Sequence, residues 1–247
     1  MKLAVTGKGG AGKTTTAAAL SLLFAEEGRK VIAIDADPDS NLAATLGFPN
    51  PDSITPIAGM KELIKERAGE AGVYFKLNPK VDDIPDKYCI THKGIKLLVM
   101  GGLKKAGSGC YCLENAFLKS LIAHLLLARD DVVIMDMEAG IEHLGRGTAS
   151  GVDALLVVVE PGMRSMETAQ RIRKMAGELK IKHTFLVGNR VRGKDDISFI
   201  EKNTKDFDRL GFILYNEALL DTVSEKNAGI FSGIKEKLLE KTGGRNR

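Results

Sequence analysis

The stretch Gly7-Lys8-Gly9-Gly10-Ala11-Gly12-Lys13-Thr14-Thr15 follows a short apolar run, Leu3 to Val5, and leads into a helix-like segment from about Lys13 to Glu27. Gly7, Gly12, Lys13 and Thr14 satisfy the phosphate-loop spacing G-x-x-x-x-G-K-[ST], and strand before and helix after is the context that gives the motif meaning. The backbone N–H groups of Gly9, Gly10, Ala11 and Gly12 are expected to turn toward phosphate oxygens, and the helix N-terminus adds favourable partial charge. Lys13 is expected to grip the β- and γ-phosphates, Thr14 to offer its hydroxyl to Mg²⁺, and Thr15 to bond the α-phosphate.

The loop carries a second lysine, Lys8, where the pattern demands nothing. A cation at the front of the loop cannot easily reach the phosphates held by its own chain. It is well placed to reach those held by a second copy, so the loop points to a nucleotide and a homodimer together.

Further short apolar runs recur along the chain: Val31 to Ile34, Lys96 to Met100, Val132 to Met135, Ala154 to Val159 and Thr184 to Val187. They lack strict alternation, as strands buried on both faces do. Helix-like segments lie between them, at about Glu114 to Ala128, Ser165 to Leu179 and Asp195 to Asn203. The alternation predicts an α/β fold with a mainly parallel sheet flanked by helices on both faces. A chain of 247 residues fits one such domain, residues 1–247. The rhythm breaks over about 49–94, where Pro51, Pro56, Pro79 and Pro85 surround a possible helix near Met60 to Arg67, and we read an insertion there. Near the end, Ile230, Phe231, Ile234, Leu238 and Leu239 form one helical face, expected to pack on the sheet rather than on a membrane.

Three further positions fall where strands should deliver them to the ligand crevice. Asp35-Ala36-Asp37-Pro38 closes the second apolar run, and Asp37 is placed to orient or deprotonate an attacking water. Asp136-Met137-Glu138-Ala139-Gly140 follows the run from Val132. An acid there commonly steadies Mg²⁺ from outside its inner ligands, and Gly140 would bring its N–H near the γ-phosphate. Asn189 ends the run from Thr184 and can bond a purine edge; the position where a guanine-reading carboxylate would stand is Arg192, which favours adenine.

Cys110-Tyr111-Cys112 is the second informative feature. In extended chain, residues two apart project to the same side, so both sulfurs can face one metal ion. A disulfide across so short a loop would be strained. Two thiolates fall short of a tetrahedral thiolate site, and a two-fold axis supplies two more. Nickel, zinc and copper(I) all suit thiolates. Cys89 has no such neighbour in the sequence, and His92, His124, His143 and His183 are not paired at ligand spacing.

Composition removes other classes. Lys+Arg 36 against Asp+Glu 32 leaves +4, too little and too scattered for nucleic acid, and Trp is absent. No apolar run approaches the roughly 18 to 20 residues of a bilayer span. The short apolar stretch after Met1-Lys2 leads into the phosphate loop and not to a cleavage site, so a cytoplasmic protein is expected, with no membrane partner.

Lys8 and Lys13 in GKGGAGKTT, with Asp37 and the DMEAG segment, resemble the deviant phosphate-loop (deviant Walker A) ATPases. These include the MinD and ParA division and partition ATPases, the nitrogenase iron protein and metal-centre maturation proteins. DADPDS, GSGCYCLENAF and MDMEAGIEHLGRGTA narrow the resemblance to the CooC family, nickel-insertion ATPases of carbon monoxide dehydrogenase, or its close relative AcsF, which serves acetyl-CoA synthase. The resemblance implies an ATP-driven dimer with Lys8 contacting the nucleotide across the interface. It implies nickel, or zinc in isolated protein, between Cys110 and Cys112 of both chains, and a nickel enzyme as client. Two departures stand out: Ala11 replaces a common Val, and Leu214 stands before Tyr215-Asn216 where Pro is common, on the adenine side. An iron–sulfur electron carrier is disfavoured because Asp136 to Gly151 holds no cysteine, and a partition ATPase has no use for the Cys pair.

Overall fold

The computed structural model describes residues 1–70, 74–76, 78–101, 112–127, 130–141 and 144–243. The chain enters through β1 (Lys2–Gly7), α1 (Lys13–Glu26), β2 (Val31–Ala36) and α2 (Leu42–Thr45). It continues through α3 (Lys61–Ala68), β3 (Gly69–Glu70), β4 (Tyr74–Phe75), α4 (Ile84–Lys87), β5 (Ile90–His92) and β6 (Ile95–Val99). Then come α5 (Cys112–Leu127), β7 (Val132–Met137), α6 (Arg146–Ala149), β8 (Ala154–Val159), α7 (Met163–Glu178) and β9 (Thr184–Val191). The last elements are α8 (Lys194–Asn203), β10 (Asp208–Leu214), α9 (Glu225–Ala228) and α10 (Ser232–Thr242).

Eight strands form one sheet in the order β10-β9-β8-β1-β7-β2-β6-β5. Every pairing in it is parallel except β5 with β6. The fold is the expected mainly parallel α/β sheet, and its apolar runs are apolar throughout for a physical reason. Successive side chains point to opposite faces, and both faces are covered. Leu3 and Val5 join one core layer with α1, α2, α9 and α10, while Ala4 between them joins the other, with α3, α5, α7 and α8. Helix α1 is buried nearly all round, from Thr16 to Phe24, which fixes the phosphate loop at its start to the middle of the sheet.

Two strands of this sheet lie outside the expected runs. Strand β10 reads DRLGFIL; its pairing to β9 shifts register around Gly211, and its ends are exposed, so no buried run marks it. Strand β5, three residues long and antiparallel, joins the sheet edge from within the 49–94 stretch. The C-terminal stripe packs inward: Phe231, Ile234 and Leu238 are buried, α10 lies against β10 and α1, and Ile230 alone of the five faces solvent. Among the described residues no helix is long and apolar enough to cross a membrane.

Candidate nucleotide site

Strand β1 is central, with β8 on one side and β7 on the other, so the loop after it opens into the crevice at the carboxyl ends of the strands. Gly7 has φ +150° and comes so close to β8 that any Cβ there would overlap the Val158 carbonyl. The loop then turns on the Ala11 N–H to Lys8 carbonyl bond, 3.1 Å, and enters α1 through Gly12 in the left-handed region, φ +93°. No side chain caps α1 and no acidic residue sits in its first turn, so its leading N–H groups and positive dipole end stay available to an anion. Gly9 and Gly10 are exposed, Ala11 is buried, and Thr14 and Thr15 are half-buried at the mouth.

Lys13, also buried, points its ammonium at Asp37, Nζ to Oδ2 3.6 Å. Asp37 also accepts the Asp39 N–H at 3.1 Å, so its carboxylate is held at the crevice edge. Asp35 behind it is fully buried and accepts from the N–H groups of Leu42 (2.9 Å) and Asp37 (3.3 Å). Burial pushes its carboxyl up to about 6 against those two bonds.

Asp136 sits at the end of β7, fully buried, and neither carboxylate oxygen has a hydrogen-bond partner among the described residues. Burial raises its carboxyl to about 7; the nearby Thr14 hydroxyl and Lys13 ammonium oppose that rise and Asp35 adds to it. An orphaned buried carboxylate is costly unless something cationic completes it. With the Thr14 hydroxyl and the open start of α1 beside it, the donor set fits a magnesium nucleotide: Thr14 as the Mg²⁺ ligand and Asp136 next to it. The segment after Asp136 is pinned to β1, since the Thr6 hydroxyl lies 2.8 Å from both the Glu138 and Gly140 carbonyls. The Gly140 N–H donates to the Glu138 carbonyl at 2.7 Å, so in this state it is turned back on its own loop.

Asn189, at the end of β9, donates its amide to the Ala11 carbonyl at 2.9 Å and is buried. A Cβ on Gly12 would overlap that amide, so glycine is required there for space as well as for φ. Asn189 also borders a narrow cleft, lined further by Thr15, Tyr215, Asn216, Leu219 and Leu220. Leu214, the departure from the Pro common in the resembling family, is 61% exposed; the Tyr215 N–H donates to the Val191 carbonyl and Asn216 caps the following turn through Ala218.

Lys8 pairs within its own chain, Nζ to Glu160 Oε1 2.9 Å. Glu160 was not singled out from the sequence, although its place directly after the buried β8 run is the same signal that marks Asp37 and Asp136. Thr6 was also missed, because a threonine inside a strand carries no such signal. Cys89 is half-buried against the core. Cys110 and His143 lie outside the described residues, and Cys112 is placed only as the start of α5. Among the described residues no group of three His, Cys, Asp or Glu is arranged to hold a metal.

The model of the CobQ/CobB/MinD/ParA nucleotide binding domain matches residues 2–229. The carbon monoxide dehydrogenase accessory protein CooC of Rhodospirillum rubrum is 47% identical over 89% of this chain and 85% of its own length. An ATP-binding protein of Methanocaldococcus jannaschii is 45% identical over 89% and 87%. Among solved structures, the MinC:MinD cell division protein complex of Aquifex aeolicus aligns over 100% of this chain and 98% of that chain, with TM-score 0.67 and 20% identity, a likeness of fold. The chain belongs to the CobQ/CobB/MinD/ParA nucleotide-binding family and stands within it beside CooC.

Proposed function

We propose that the chain is a dimeric ATPase that carries nickel between paired Cys110 and Cys112 residues and delivers it to the active-site cluster of carbon monoxide dehydrogenase or acetyl-CoA synthase. Residues 1–247 act as one ATPase unit, with 49–94 as an insertion. The observation that carries the nucleotide part is the unpartnered, buried Asp136 carboxylate beside Thr14 and the uncapped start of α1. The nickel part rests on the likeness to CooC and on the Cys-x-Cys spacing.

In this reading Lys13, Thr14 and Thr15 hold the phosphates and their Mg²⁺, and Asn189 fixes the loop while meeting the adenine edge. Asp37 is freed from Lys13 when phosphate takes its place, and then orients the attacking water. The Gly140 N–H leaves the Glu138 carbonyl for the γ-phosphate, which gives the segment after Asp136 two states. Lys8 crosses to the partner's nucleotide. Closure of the dimer brings the two cysteine pairs together around the transported nickel ion, and hydrolysis separates them.

Activation of nickel-free carbon monoxide dehydrogenase tests this. Nickel-loaded protein should activate it with ATP and fail with ADP, and Lys13→Ala should fail with both. Equal activation by ATP, ADP and the variant would refute the coupling.

A further inference from the structure

Lys8 and Glu160 are neighbours because of the sheet. Gly7 on β1 pairs in register with Val158 on β8, and at Gly7 the two backbones approach as closely as glycine allows. One residue beyond Gly7 and two beyond Val158, the side chains meet at 2.9 Å. The backbone of Glu160 is anchored from its own side: its N–H donates to Ser165 Oγ at 3.1 Å, and Ser165 is buried at the start of α7. The main chain at Glu160 is therefore held on its own side when Lys8 leaves, and only the side chain is free to turn.

Glu160 also has a second cation within reach. The Arg190 guanidinium lies 4.0 Å from its other oxygen, on a residue with φ +55° at the end of β9. When Lys8 departs, the carboxylate keeps a partner, so no uncompensated charge is left behind.

We propose that Glu160 is a latch that holds Lys8 in its own chain until a second copy, loaded with nucleotide, competes for it. The inference rests on the reading that Lys8 acts across the dimer. Lys8 cannot serve its own Glu160 and a partner's phosphates at once, so the strength of the pair sets how much nucleotide-loaded protein is needed before dimers form. The pair is partly exposed, with side chains 35% and 25% accessible, which makes it weak enough to exchange. Such a pair biases an equilibrium by about threefold. Two of them open for each dimer, so removing the latch should tighten dimerisation by about tenfold.

Sedimentation equilibrium with Mg²⁺ and a non-hydrolysable ATP analogue reads this directly. Glu160→Gln should lower the dimer dissociation constant about tenfold, and Glu160→Asp, which keeps the charge but shortens the reach, should fall between it and the parent. Lys8→Ala should weaken the dimer, and adding Glu160→Gln to it should bring nothing back. Should Lys8→Ala dimerise like the parent, the lysine does not act across the interface, and the latch falls with that reading. Should Lys8→Ala be impaired while Glu160→Gln and Glu160→Asp dimerise no better than the parent, the latch alone is wrong.

Discussion

Asp35 and Asp136 are register partners on the adjacent parallel strands β2 and β7, and both carboxyls are fully buried at the end of the sheet where the phosphate loop opens. Burial lifts them to about 6 and about 7; Asp37 adds to the rise at Asp35, and Asp35 adds to the rise at Asp136. Two backbone N–H groups offset part of that cost at Asp35, and the Thr14 hydroxyl and Lys13 ammonium offset part of it at Asp136; a cation brought in beside Asp136 would offset more.

A pH dependence follows from Asp136. Its carboxyl keeps a proton in the folded chain to about pH 7 but in the unfolded chain only to 3.8. The folded state therefore binds the extra proton across that window, and the stability this group contributes falls as pH rises through it. Without nucleotide, the melting temperature of the parent should drop more steeply from pH 5 to pH 7 than that of Asp136→Asn. Comparing the two cancels the other titrating groups. Parallel profiles would contradict the assignment.

Asn189 ties the carboxyl end of β9 to the phosphate loop through Ala11. Asn189→Ala removes that bond and leaves the Ala11 carbonyl without it, which should weaken ATP binding about tenfold, a cost of roughly 1.4 kcal/mol. Calorimetric titration of parent and variant gives the ratio. An unchanged affinity would mean the bond is broken when nucleotide is bound.

Asp37 is assigned to the chemical step and not to affinity. Asp37→Ala should retain ATP binding while hydrolysis falls by about 100-fold or more, as removal of a general base does. Phosphate release and equilibrium binding measured on the same samples separate the two. Loss of binding in step with hydrolysis would instead make Asp37 the anchor of Lys13.

Much of this site was legible in the chain. Gly7 to Thr15 carries its spacing openly, and Asp37, Asp136 and Asn189 each stand within three residues of the end of a buried apolar run, which in a parallel sheet places them at one edge. Glu160 has the same signature after β8, yet what it does depends on Lys8 lying opposite, a relation fixed by the β1–β8 register and invisible to local pattern. The Thr6 hydroxyl is invisible for the same reason: its partners, the carbonyls of Glu138 and Gly140, are far away in sequence. Strand β10 was missed because an edge strand with Gly211 at a register shift shows neither alternation nor an apolar run.

The central claim is that nucleotide-driven dimers hold the transported metal on the cysteine pairs. Metal analysis of protein isolated as monomer and as ATP-bound dimer, after loading with Ni²⁺ or Zn²⁺, tests it most directly. The account predicts about one metal ion per two chains in the dimer, as four thiolates around one ion require, and loss of that metal when Cys110 and Cys112 are both replaced by Ala. Metal content that is the same in monomer and dimer, or that survives the double replacement, would contradict it.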